Sequence, residues 1–118
     1  MKIKTDELTG AALDWAVAKA AGYLSKQGDH WMVTLPDVSV RMNFVPNSPR
    51  SSFSPSTRWA QGGPIIEREI VNLTDDGQQW VAEGHDIICT GPTPLVAAMR
   101  AFVASKLGDE VEIPEELK

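Results

Sequence analysis

The chain contains one cysteine, Cys89, and two histidines, His30 and His85, among 118 residues. A single cysteine excludes an internal disulfide and fits a reducing compartment. The histidines each adjoin an aspartate, Asp29 and Asp86, in turn-like stretches. Neither CxxC nor HxxxH spacing occurs, so no metal and no other cofactor is expected. No apolar run approaches the ~20 residues that a membrane helix needs. Lys2 and Lys4 are followed by no apolar segment, so a secretory leader is not expected either. Acid is missing from the stretch between Val38 and Ile66, which carries Arg41, Arg50 and Arg58. These are far sparser than the lysine and arginine footprint of a dedicated nucleic-acid binder.

What is present suits one globular core, with 42% hydrophobic and 23% charged residues. The formal charge is −5, and the segment Asp109–Lys118 holds five acids and one lysine. Residues 1–108 are therefore read as a single domain, almost balanced in charge. Residues 109–118 are read as an acidic tail, usually a solvated end and less often a competitor for basic surfaces.

Hydrophobic spacing gives the elements. Lys2–Lys4 is a candidate short strand. Thr9 and Gly22 bracket a helix over Gly10–Ala21, with Leu13, Ala16, Val17, Ala20 and Leu24 on one face. Trp15 points away from that face. It is covered either by linking segments or, on the sharper reading, by a partner or a second copy of the chain. Gly28-Asp29 reads as a turn, and Trp31–Leu35 and Val38–Phe44 as strands joined through Pro36-Asp37. Val45–Thr57, with three prolines and five serines, reads as a surface loop pinned by Phe53. Ser56 or Thr57 is a candidate cap for a helical turn through Trp59. Gly62-Gly63-Pro64 is read as an interruption, with Pro64 opening a second short helix to Ile70. Thr74–Gly77 is a turn, followed by a hairpin of Gln79–Glu83 and Asp86–Thr90 about Gly84-His85.

The clearest element is the helix Pro94–Leu107, between a Thr93 cap and Gly108. Leu95, Ala98, Met99, Phe102 and Val103 form its core stripe. Ala97, Arg100, Ala101 and Ala104 make the opposite face low enough for another backbone to approach. The implied class is α+β, a small antiparallel sheet packed with helices.

Little in this pattern assembles chemistry. Cys89, in Ile87-Ile88-Cys89, reads as a small buried hydrophobe. Glu67 and Glu69 lie two apart and do not face each other on a helix. The helix starts at Gly91-Pro92-Thr93-Pro94 and Gly62-Gly63-Pro64 attract anions in principle. Their prolines, however, remove donors that a phosphate cradle would use. The segment left unexplained by packing is the one around Ser54, Ser56, Thr57, Arg58, Trp59, Gly62, Gly63, Glu67 and Arg68, and it is the candidate recognition surface.

The runs Ser54-Pro-Ser-Thr-Arg-Trp-Ala-Gln-Gly-Gly-Pro-Ile-Ile-Glu-Arg68 and Gly91-Pro-Thr-Pro-Leu-Val-Ala-Ala-Met-Arg100 resemble the NinX-like family of phage and prophage proteins. So do Lys106–Glu110 and Leu8–Ala18. Arg58 stands where that pattern leads one to expect an acid. The resemblance implies a phage origin, action in the cytoplasm of a bacterial host, and an α-β-α sandwich-like layering. It supplies no catalytic residue. The expectation is a non-enzymatic accessory protein that binds a host or phage protein. The alternatives are a nucleic-acid binder using Arg41, Arg50, Arg58 and Arg68, and a small hydrolase or transferase around His85, Asp86 or Glu67.

Overall fold

A computed structural model of the chain describes residues 2–28, 30–35, 41–44, 53–69 and 72–117. The elements are β1 (Lys2–Lys4), a 3-10 turn (Thr5–Glu7), α1 (Gly10–Ala21), β2 (Leu24–Gln27), β3 (His30–Thr34) and β4 (Arg41–Phe44). They continue with α2 (Trp59–Glu69), β5 (Asn72–Asp75), β6 (Trp80–Gly84), β7 (Ile87–Gly91), α3 (Pro94–Leu107), β8 (Glu110–Glu112) and a closing 3-10 turn (Glu115–Leu117). The class is α+β, as expected. Among the described residues the strands form three antiparallel groups: β1-β8, β2-β3-β4 and β5-β6-β7.

The middle of the fold is α3. It packs on β6 and β7, and also on α1 and α2. Its core stripe is buried, and so are Ala97, Arg100, Ala101 and Ala104 on the opposite face. The low alanine face therefore lies against the chain's own elements. Thr93 caps the helix through its hydroxyl, which accepts from the Val96 N–H at 3.1 Å. Gly108 follows at φ +90°, a value few side chains tolerate.

Helix α1 has the bounds read from sequence. Gly22, at φ +80°, ends it in the left-handed conformation, donating to Ala18 and Lys19 carbonyls. Thr9 is the cap residue by backbone only, since its side chain makes no capping hydrogen bond. Trp15 is 4% exposed. It meets Trp31 of β3 edge-to-face, with ring centroids 5.5 Å apart. Its cover includes a strand from its own chain.

Several expectations change. Leu24 lies in β2, a strand not foreseen, paired with Val33. Helix α2 runs unbroken through Gly62-Gly63-Pro64. The reason is packing. A Cβ on Gly62 would overlap the Pro55 carbonyl oxygen and come within 2.6 Å of Leu95 Cδ2, so glycine lets α2 press onto that loop and α3. This close contact offsets the low helix propensity of Gly and Pro. Neither Ser56 nor Thr57 caps this helix. In its first turn the Gln61 and Gly62 N–H groups donate to the Arg58 carbonyl. Thr74 and Asp75 belong to β5, and the turn starts one residue later, where Asp76 Oδ1 accepts from Gln78 and Gln79 N–H groups. The hairpin β6-β7 forms as expected but one residue further along, with His85 and Asp86, not Gly84-His85, in the two-residue turn at φ 52° and 63°. Phe53 is buried and stacks edge-to-face with Tyr23. Pro36-Asp37, Val38–Val40, Val45–Ser52 and Ile70 lie outside the described residues.

The C-terminal segment is not a solvated end over its described length. Strand β8 pairs with β1, and Ile113 and Leu117 enter the core at 1% and 3% exposure. Its described carboxylates at Asp109, Glu110 and Glu115 stay exposed.

The two central glycines of α2 should respond differently to alanine. Gly62→Ala is expected to cost about 1–3 kcal/mol by overpacking. Gly63→Ala, with nothing within 4 Å of the new Cβ, should be neutral or gain up to about 1 kcal/mol from helix propensity. Urea unfolding of both variants checks this.

Candidate functional site

The recognition segment opens with a tight turn before α2. The Ser54 carbonyl accepts from Thr57 N–H at 3.0 Å and Arg58 N–H at 2.8 Å. The Ser54 N–H donates to Gln61 Oε1 at 2.5 Å, closing the loop back onto the helix. Pro55 and Ser56 are buried, while Thr57, Arg58 and Trp59 are exposed.

Asp14 holds this turn in place. It lies on α1, 6% exposed, and its Oδ1 accepts the Ser56 N–H at 2.9 Å. Burial pushes its carboxyl up to about 6, and the hydrogen bonding from Ser56 only partly opposes that rise. The Ser56 hydroxyl lies near the carboxyl, yet it reaches no acceptable hydrogen-bond geometry with any described partner. Asp14 is not among the candidates that the sequence offers. The available signal was a lone carboxylate inside a helix that is otherwise apolar nearly all round.

The nine sequence-chosen residues divide into two groups. Ser54, Ser56 and Gly62 build the turn and its contact with α3. Thr57, Arg58, Trp59, Glu67 and Arg68 face solvent, and Gly63 is half-buried with open space at its Cα. Trp59 is 55% exposed. It borders a groove of about 230 Å³ with Ser56, Thr57, Thr93, Pro94 and Leu95. This groove joins the beginnings of α2 and α3, which the sequence keeps 35 residues apart.

The other candidate chemistries gain less. Arg58 and Arg68 sit at opposite ends of α2, Arg41 lies in β4, and Arg50 is outside the described residues. His85 is in the β6-β7 turn, 3.6 Å from a Glu69 carboxylate that also meets Lys106 at 3.6 Å. A cavity of about 450 Å³ beside it is lined, among the described residues, by Glu83, Gly84, His85, Asp86 and Ile88, which include no serine, threonine or cysteine nucleophile and not Glu67. At the start of α3 the Thr93 hydroxyl is already used by Val96. Gly91 is there for space, since a Cβ would lie 2.7 Å from Ala97 N. Among the described residues no three or more His, Cys, Asp and Glu side chains come together to hold a metal ion. No helix among them is long and apolar enough to cross a membrane.

Fold and site thus define a small α+β domain whose two most motif-rich segments meet at an aromatic-edged groove. A family model described as Bacteriophage P22, NinX matches residues 4–106. The chain belongs to that phage protein family. A comparison with curated proteins finds no match.

Asp14 gives the fold a pH dependence with a definite sign. Its folded value is above the ordinary one, so protonation favours the folded state. That stability is fully present below about 3.8 and is lost as pH rises through about 6. The span corresponds to roughly 2–3 kcal/mol. Asp14→Asn keeps an acceptor for Ser56 without a titrating charge. The unfolding free energy, measured by urea denaturation, should fall by that amount from pH 4 to 7 in wild type, and this component should be absent in the variant.

Proposed function

We propose that this phage accessory protein is a non-enzymatic binding module that acts in the cytoplasm of the bacterial host and grips a host or phage protein through the Trp59 groove. One observation carries the reading: Trp59 stands 55% exposed beside a concave surface, on a turn fixed from beneath by Asp14. A large exposed aromatic on a rigid support is the usual anchor of a protein interface, because little side-chain entropy is lost on binding. Thr57 lines the groove, and Arg58, between Thr57 and Trp59 in the chain, is exposed. Arg58 offers five donors to carboxylates or carbonyls of the partner. The packing of Ser56 and Gly62 holds the backbone still while Trp59 itself contributes almost nothing to the core.

Tagged wild-type protein incubated with host and phage-infected lysates should retain a specific partner, identified by mass spectrometry. Trp59→Ala, with unchanged circular dichroism, should weaken that complex by about 2 kcal/mol or more in a direct titration. Retention of nothing by wild type, or of the same set by both proteins, would refute the reading.

A further inference from the structure

A second surface lies on β7. This strand ends the β5-β6-β7 sheet, so one of its sides is unpaired among the described residues. The two-residue turn at His85-Asp86 makes Gly84 and Ile87 a hydrogen-bonded pair. Alternation along the antiparallel ladder then turns the N–H and C=O groups of Ile88 and Thr90 away from β6. The Thr90 carbonyl agrees with this, since it accepts from Arg100 Nη1 at 2.8 Å. The N–H of Thr90 and both backbone groups of Ile88 have no hydrogen-bond partner among the described residues.

A groove of about 410 Å³ runs along this edge. Its far wall comes from β1, the first 3-10 turn and β8. That wall is fixed, because Thr5 donates its N–H to the Asp109 carbonyl at 2.8 Å and its hydroxyl to the Gly108 carbonyl at 2.6 Å. The floor is apolar, with Cys89 and Ala104. Asp6, Asp86, Asp109 and Glu110 line the rim against one lysine, Lys4. Their field reaches the floor. Burial raises the Cys89 thiol first, and Asp6 and Asp109 push it the same way, while Arg100 opposes them. Ile88 stands 64% exposed beside the groove. Edge strands in natural proteins are usually blunted by lysine, proline or a covering element. Ile87–Gly91 contains neither lysine nor proline.

We propose that the β7 edge and its acidic groove take up an extended, lysine- or arginine-bearing segment of a partner protein, which pairs with β7 as an added strand. Main-chain hydrogen bonds to both backbone groups of Ile88 provide the register, while the Thr90 carbonyl stays with Arg100. Alternate side chains of the incoming strand meet Ile88 on one side and the carboxylate rim on the other. The occupant is basic because the rim is acidic, and extended because the unpaired groups belong to a strand. The site is separate from the Trp59 groove and does not depend on it.

The probe is a fluorescent peptide alternating lysine and valine, tested against the full chain by anisotropy at low salt. Binding should weaken as salt is added. It should drop at least about tenfold with Asp6→Lys plus Asp109→Lys, both exposed positions. Methylating alternate peptide nitrogens keeps the side chains and removes strand donors, so binding should also be lost on one of the two methylation registers. Trp59→Ala should bind the peptide normally, which separates this surface from the one proposed above. No binding at low salt overturns the proposal. So does equal binding of both methylated peptides, or sedimentation showing that a second copy of the chain occupies the edge.

Discussion

The Arg100 guanidinium reaches from the middle of α3 to two backbone carbonyls that the sequence holds far apart. Its Nε donates to Leu8 at 2.9 Å and its Nη1 to Thr90 at 2.8 Å. Leu8 lies just before α1 and Thr90 lies in β7, so one buried side chain ties three elements together. The charge costs desolvation, and burial lowers the pKa from its ordinary value while Asp6 acts in the opposite sense. A planar group with five fixed donors can bear that cost where a lysine would not. The alanines around it, Ala97, Ala98, Ala101 and Ala104, let α1 and the β6-β7 hairpin come close enough to be gripped. Without the grip, a helix buried on every side would be held by apolar contacts alone, which fix its depth but specify its rotation poorly.

A parallel device works at the other motif. Asp14 fixes the turn at Ser56, and Gly62 brings α2 onto Leu95. The segments Leu8–Ala18, Ser54–Arg68 and Gly91–Arg100 are therefore in mutual contact through a few polar atoms and one missing Cβ. This accounts for much of what makes those runs look motif-like. They specify a junction. Among the residues left over once the junction is explained, Thr57, Arg58 and Trp59 lie together at the start of α2, and these carry the functional reading.

The same contrast explains how much was legible in the sequence. Helices α1 and α3 were read to the residue because their boundaries are local: a cap, a proline at the start, a glycine at the end. The β6-β7 hairpin was legible for the same reason. Helix α2 departs from the expected interruption because its continuity through Gly62-Gly63-Pro64 depends on a contact with Pro55 and Leu95, and no local rule contains that information. Strands β2, β5 and β8 are short and mostly polar, and they exist because a partner strand fixes them. The charge pattern of the C-terminal segment suggests a solvated end, since five carboxylates outweigh three apolar residues in composition. Ile113 and Leu117 outweigh them in packing. For the candidate site, the stretch was found and its foundation was not. Asp14 is invisible to a motif search because its role lies in a hydrogen bond across 42 positions of sequence.

The family match covers residues 4–106 and stops before β8. The Trp59 groove lies wholly inside that span, as do Asp14 and Gly62 beneath it. The acidic groove on β7 does not. Asp6 and Asp86 fall within the span, but Asp109 and Glu110 lie beyond it, on the segment that also supplies Ile113 and Leu117 to the core. What the family model describes thus includes one complete candidate surface and only part of the other. The segment after residue 106 is needed by the fold, because β1 has no other strand partner among the described residues. That need leaves its outward side chains unconstrained. Packing accounts for the apolar residues there, while the carboxylates lining the β7 groove remain to be explained by what they meet in solution.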